Sequence, residues 1–119
     1  KVSIKNMIKQ SANLGAFVTG LYTEDYELIR RSVKDVVIEP LRSVLIPKFE
    51  EIKSASINSG ALSCGISGSG PSVFAICKGI TIANKVGEAM TKVYRDLNLE
   101  YDIHISCVND KGIRILNYK

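Results

Sequence analysis

Apolar side chains near the start of the chain fall at Ile4, Met7, Ile8, Ala12, Leu14, Val18, Leu21 and Tyr22. These offsets follow helical period and predict a helix over residues 3–22 with one buried stripe. Thr23-Glu24-Asp25 then supplies a cap residue and two helix-start acids for a second helix reaching about Asp35. Its stripe is Leu28, Ile29, Val33, Val36 and Val37. Pro40 and Pro47 bracket a segment expected to be irregular, because proline disfavours helix at the residue before it. Residues 48–57 read as a third, short helix that ends near Asn58-Ser59-Gly60.

The period then changes. Residues 61–66 and 72–77 are short apolar runs separated by Ser67-Gly68-Ser69-Gly70-Pro71, which fits two strands joined by a tight turn. Residues 82–97 return to helical spacing, with Ile82, Val86, Ala89, Met90, Val93 and Leu97 on one face. Tyr101, Ile103, Ile105 and Cys107 alternate across residues 101–108 as a strand does, and Asp110-Lys111-Gly112 turns toward a last strand at 113–116. The order ααα-ββ-α-ββ predicts an α+β sandwich, helices on one face of an antiparallel sheet, of ferredoxin-like type with its first strand missing. One domain over residues 1–119 is expected, and the opening on Lys1 at the start of a helix suggests a fragment of a longer chain.

Composition narrows the function class. Sixteen Lys and Arg against twelve Asp and Glu give a net charge of +4, and the charges interleave beyond the first ten residues. That balance lacks the basic stripe of a nucleic-acid-binding surface. No apolar run reaches the length of a transmembrane helix, and no signal peptide is visible, so neither membrane nor secretion is expected. The three cysteines, Cys64, Cys77 and Cys107, are widely spaced, and His104 is the only histidine, so no metal site is assigned. Three reduced, half-buried thiols in a cytoplasmic protein are the expectation. His104 reads as an ordinary sheet residue, and Tyr22, Tyr94 and Tyr101 as residues at the edge of the core.

The most informative stretch is Gly65-Ile66-Ser67-Gly68-Ser69-Gly70-Pro71-Ser72. Glycines permit positive φ and close approach, and successive N–H groups in such a loop can form a concave anion site. No Lys follows as in a Walker phosphate loop, and the third glycine of a dinucleotide fingerprint is replaced by Val73. A tight strand connection without a ligand explains the same residues.

The run from Gly60-Ala61-Leu62 through Gly65-Ile66-Ser67-Gly68-Ser69-Gly70-Pro71-Ser72-Val73-Phe74-Ala75 resembles the third motif of the GHMP small-molecule kinases. Upstream, Asp35-x-x-x-Glu39-Pro40-x-Arg42 and Leu45-Ile46-Pro47 resemble the homoserine kinase branch of that superfamily. The resemblance implies the C-terminal domain of a two-domain enzyme that transfers the γ-phosphoryl group of ATP to the hydroxyl of L-homoserine, toward threonine. The phosphate loop of the partner N-terminal domain does not occur in this sequence, so ATP and Mg2+ would be bound mainly outside it and the fragment would be inactive alone.

By the same resemblance, Ser67, Gly68, Ser69 and Gly70 would lie near the transferring phosphoryl group, and Arg42 would hold the α-carboxylate of the substrate. A guanidinium matches a carboxylate in shape and charge. The alternative for Arg42 is a surface residue paired with Glu39 or Asp35, and Glu39 is expected to be its structural partner rather than a base. No catalytic residue is assigned in this domain. The other readings are a GHMP kinase acting on mevalonate, an isoprenoid intermediate or a sugar, an amino-acid-binding regulatory module, and a domain for self-association as a homodimer through the edge strand at 113–116.

Overall fold

In a computed structural model, which describes residues 1–68, 70–95, 97–113 and 115, the chain opens on helix α1, Ile4–Thr23. Ser3 starts it as an N-cap, its Oγ accepting a hydrogen bond from the Asn6 N–H at 3.2 Å. Glu24 ends it in the left-handed region at φ 54°. Glu24 therefore closes α1 and does not open the next helix. Asp25 has that second role: its Oδ1 accepts from the Leu28 N–H at 2.9 Å and caps α2, Tyr26–Ser32. The two helices cross closely at Gly20, where a Cβ would stand 2.9 Å from Ile29 Cγ1 and 3.1 Å from its backbone nitrogen.

The face of α1 turned inward carries Gln10, Asn13, Phe17 and Gly20. The apolar stripe lies on the opposite side and is exposed: Leu14 keeps 63% of its surface and Tyr22 88%. The buried stripe read from the sequence is thus a helical face that no other described residue covers. Periodicity establishes that a face is apolar, not what packs on it.

Pro40 sits in the first turn of a short helix, α3, Glu39–Arg42, followed by a 3-10 turn at Ser43–Leu45. The segment expected to be irregular is therefore mostly helical, because a proline in the first turn forfeits no intrahelical hydrogen bond. Helix α4 spans Phe49–Asn58, the hairpin strands are β1, Ser63–Ile66, and β2, Val73–Ile76, and α5 spans Ile80–Tyr94. Antiparallel register pairs Ser63 with Ile76 and Gly65 with Phe74. Helix α4 packs against α5 and β1, and α5 against β2. Ile52, Phe49, Leu62, Cys64 and Val86 meet in the core, with Ile52 fully covered.

Residues 101–108 form no strand; their alternation instead lays Ile103 and Ile105 over α5, where a Cβ on Gly87 would stand 2.9 Å from Ile105 Cδ1. Apolar alternation here marks side chains that meet a neighbouring helix without a ladder, and Ile103 and Ile105 remain partly open, at 39% and 40% of their surface. His104 lies in this irregular segment. The expected last strand at 113–116 falls largely outside the described residues. Among the thiols, Cys64 is buried, Cys77 half-buried and Cys107 exposed. No described helix is long and apolar enough to cross a membrane.

Candidate functional site

The segment that carries Arg42 is held from several directions. Asn13 Nδ2 donates to the Lys34 carbonyl at 2.8 Å, and Gln10 Oε1 accepts from the Val36 N–H at 2.9 Å. From the sheet, Ser63 Oγ donates to the Val33 carbonyl at 3.2 Å. Asp35 then folds back on its own chain. Its Oδ1 accepts from the Val37 and Ile38 N–H groups, each at 2.8 Å, and its Oδ2 from that of Glu39 at 3.2 Å. A carboxylate that collects three N–H donors fixes the turn preceding α3.

Glu39 points inward. Its carboxylate pairs with Lys53 of α4 and keeps only 15% of its side-chain surface. The Lys53 ammonium in turn stands 5.6 Å from the centre of the Phe49 ring. The partner expected for Arg42 is thus Lys53's instead, and Asp35 is engaged by backbone. Arg42 itself is exposed and enters no ion pair among the described residues. Exposed Leu41, Val44 and Leu45 flank it.

The glycine loop leaves the hairpin with its base closed, the Ser67 N–H donating to the Ser72 carbonyl at 2.8 Å. Ser67, Gly68, Gly70, Pro71 and Ser72 are exposed, and Gly68 takes φ 64°. A Cβ on Gly70 would meet nothing within 4 Å, so contacts within this chain do not demand its small size. Ser69 lies outside the described residues. The loop offers hydroxyl and N–H donors and no carboxylate, a chemistry suited to anionic oxygens rather than to a cation. Among the described residues no group of three or more His, Cys, Asp or Glu is placed to hold a metal ion.

Between the two lies a cluster that the sequence did not single out. Glu39 Oε2 approaches Gly65 of β1 closely enough that a Cβ there would stand 3.3 Å from it. Cys64 is next in the strand. Burial pushes its thiol up, while a hydrogen bond with Ser56 and the charge of Lys53 pull down and Glu39 and Cys77 add to the rise. One signal for Lys53 was available: with Phe49, Ile52 and Ser56 it shares the inward face of α4, a lone cation at a core position. Arg42 and the loop make no ion pair or hydrogen bond with each other among the described residues; they are related through Glu39 and Gly65.

Comparison with known proteins gives the family. The family described as GHMP kinases C terminal matches residues 17–96. A homoserine kinase of Chlorobium phaeovibrioides is 45% identical over 117 residues, 97% of this chain and 37% of that protein. One of Buchnera aphidicola subsp. Cinara cedri is 41% identical over 119 residues, all of this chain and 38% of that protein. The crystal structure of homoserine kinase from Cytophaga hutchinsonii superposes with a TM-score of 0.89 at 43% identity, covering 94% of this chain and 36% of that one. The chain thus spans about 37% of the length of the curated relatives it matches. With the family match extending across both the Arg42 segment and the glycine loop, this chain belongs to the GHMP kinase C-terminal family.

Proposed function

We propose that this chain is the C-terminal, substrate-closing domain of a homoserine kinase, which moves the γ-phosphoryl group of ATP onto the side-chain hydroxyl of L-homoserine. Relatives named homoserine kinase, 41–45% identical across nearly all of this chain, support the substrate. The observation that carries the chemistry is Arg42. Its two neighbouring carboxylates are engaged elsewhere, Asp35 by backbone and Glu39 by Lys53, and the exposed guanidinium has no ion-pair partner among the described residues, which suits it to a ligand's carboxylate.

In this reading Arg42 binds the α-carboxylate through two parallel N–H···O bonds and so aims the side-chain hydroxyl. Orientation of this kind can supply several kcal/mol of barrier reduction. Ser67, Gly68, Ser69 and Gly70 present small, neutral donors to phosphoryl oxygens, whose charge spreads in the transition state. Bound ATP with Mg2+ would supply the electrophilic phosphorus and neutralise its oxygens. The loop fits the oxygens and has no carboxylate for the metal, so metal ligands are assigned to the remainder of the parent protein. No base is assigned here, since Glu39 is already paired.

The remainder of the parent is also the proposed partner, covering the exposed stripe of α1. The chain alone is then inactive, and the enzyme acts in the cytoplasm on a step toward threonine. A coupled ADP-release assay on the full-length parent with L-homoserine, mevalonate and galactose tests the reading. Turnover of homoserine alone is expected. Turnover of mevalonate or galactose instead would overturn the branch, and tight homoserine binding by the isolated chain would favour a regulatory module.

A further inference from the structure

We infer that Glu39 and Lys53 are a positioning pair, which sets the direction from which Arg42 meets the substrate relative to the strand entering the glycine loop. The inference rests on the proposed homoserine kinase reading for its substrate and on the geometry of this chain for its mechanism. Glu39 is the first residue of α3 and Arg42 the last, so a rotation of that single turn re-aims the guanidinium. Two contacts and one close packing constraint oppose such a rotation. Asp35 holds the backbone entering the turn, Lys53 holds the Glu39 carboxylate from α4, and the carboxylate fills the space on the β1 side that a side chain at Gly65 would enter.

Stability alone does not account for the choice of residues. A mostly covered ion pair gives up hydration on both partners, and apolar residues of similar volume commonly serve a core as well or better. What charges add is direction, since the carboxylate has one partner and one place to lie. Gly65 completes the arrangement from the other side: a Cβ there would crowd Glu39 Oε2 and two atoms of the Phe74 ring, all at 3.3 Å. Glu39 is turned toward Lys53 and mostly covered, so it acts through Arg42.

The test uses the full-length parent with Glu39→Gln, Lys53→Met and Lys53→Arg. Glu39→Gln and Lys53→Met should each raise the KM for L-homoserine roughly tenfold while the KM for ATP stays within about twofold. Lys53→Arg, which keeps the cation, should restore most of the loss. Equal rises in both KM values, or no change in either, would overturn the pair's positioning role. If Lys53→Met fails to fold, Glu39→Gln carries the comparison by itself. If the wild-type parent does not turn over homoserine, the substrate reading fails and hydrogen exchange decides the pair in the same proteins. Faster exchange across residues 38–46 in Glu39→Gln supports the pair, and unchanged exchange overturns it.

Discussion

The carboxylate of Glu39 crowds the space that a side chain on Gly65 would enter: a Cβ there would stand 3.3 Å from Oε2. Neither neighbour yields freely, because Lys53 fixes Glu39 and the Phe74 ring flanks the same space. Gly65→Ala is therefore expected to destabilise the parent by about 1–3 kcal/mol through overpacking. Urea denaturation checks this. Combined with Glu39→Ala, the loss should fall short of the sum of the two single losses, since one carboxylate is responsible for both.

Gly20 makes a comparable demand between α1 and α2. A methyl group there would press on Ile29 Cγ1 at 2.9 Å, on the Ile29 nitrogen at 3.1 Å and on the Asp25 carbonyl at 3.2 Å. Two of these are backbone atoms that cannot step aside. Gly20→Ala should cost about 1–3 kcal/mol despite the higher helix propensity of alanine, read as a lowered Tm.

The exposed stripe of α1 gives a sharper contrast. Leu14 retains 63% of its surface in this chain, so truncation here should change stability by less than about 0.5 kcal/mol. If the remainder of the parent covers the stripe, Leu14→Ala in the full-length protein should instead cost about 2–5 kcal/mol. Equal, small effects in both would mean that the face stays open.

Cysteine chemistry follows burial. Cys107 is exposed and should be alkylated first in the native protein, with buried Cys64 last; mass spectrometry after brief iodoacetamide treatment gives the order. Burial holds the Cys64 and Cys77 thiols above their ordinary value near 9.0. The folded protein therefore binds those protons more tightly than the unfolded chain does. Their contribution to stability is complete below pH 9.0 and is lost as the pH climbs through the raised values, so Tm should decline on the alkaline side. A Tm that rises above that pH would contradict the assignment.

Much of the architecture is legible in the chain because local rules dominate it. Four helical segments were readable from period and caps, and the hairpin from two apolar runs around a glycine loop, whereas α3 lay in the stretch expected to be irregular. The failures are non-local. The stripe of α1 is apolar as read, yet its cover is not among the described residues, and the alternation at Ile103 and Ile105 marks contact with Gly87 rather than a ladder. At the proposed site, the loop stood out by residue type and Arg42 only through the family resemblance, whereas Lys53 did not stand out. Its pairing with Glu39 joins residues fourteen apart through the turn at Pro47 and Lys48, which no pattern along the chain announces.

The central claim is that Arg42 holds the carboxylate of an amino-acid substrate, and one comparison tests it most directly. The full-length parent and its Arg42→Ala variant would each be assayed with L-homoserine and with 3-aminopropan-1-ol, the same molecule without its carboxylate. Wild type should prefer homoserine strongly in kcat/KM, and the variant should lose roughly 100-fold on homoserine while changing little on the amino alcohol. An undiminished preference in the variant would contradict the claim and place the carboxylate's anchor elsewhere.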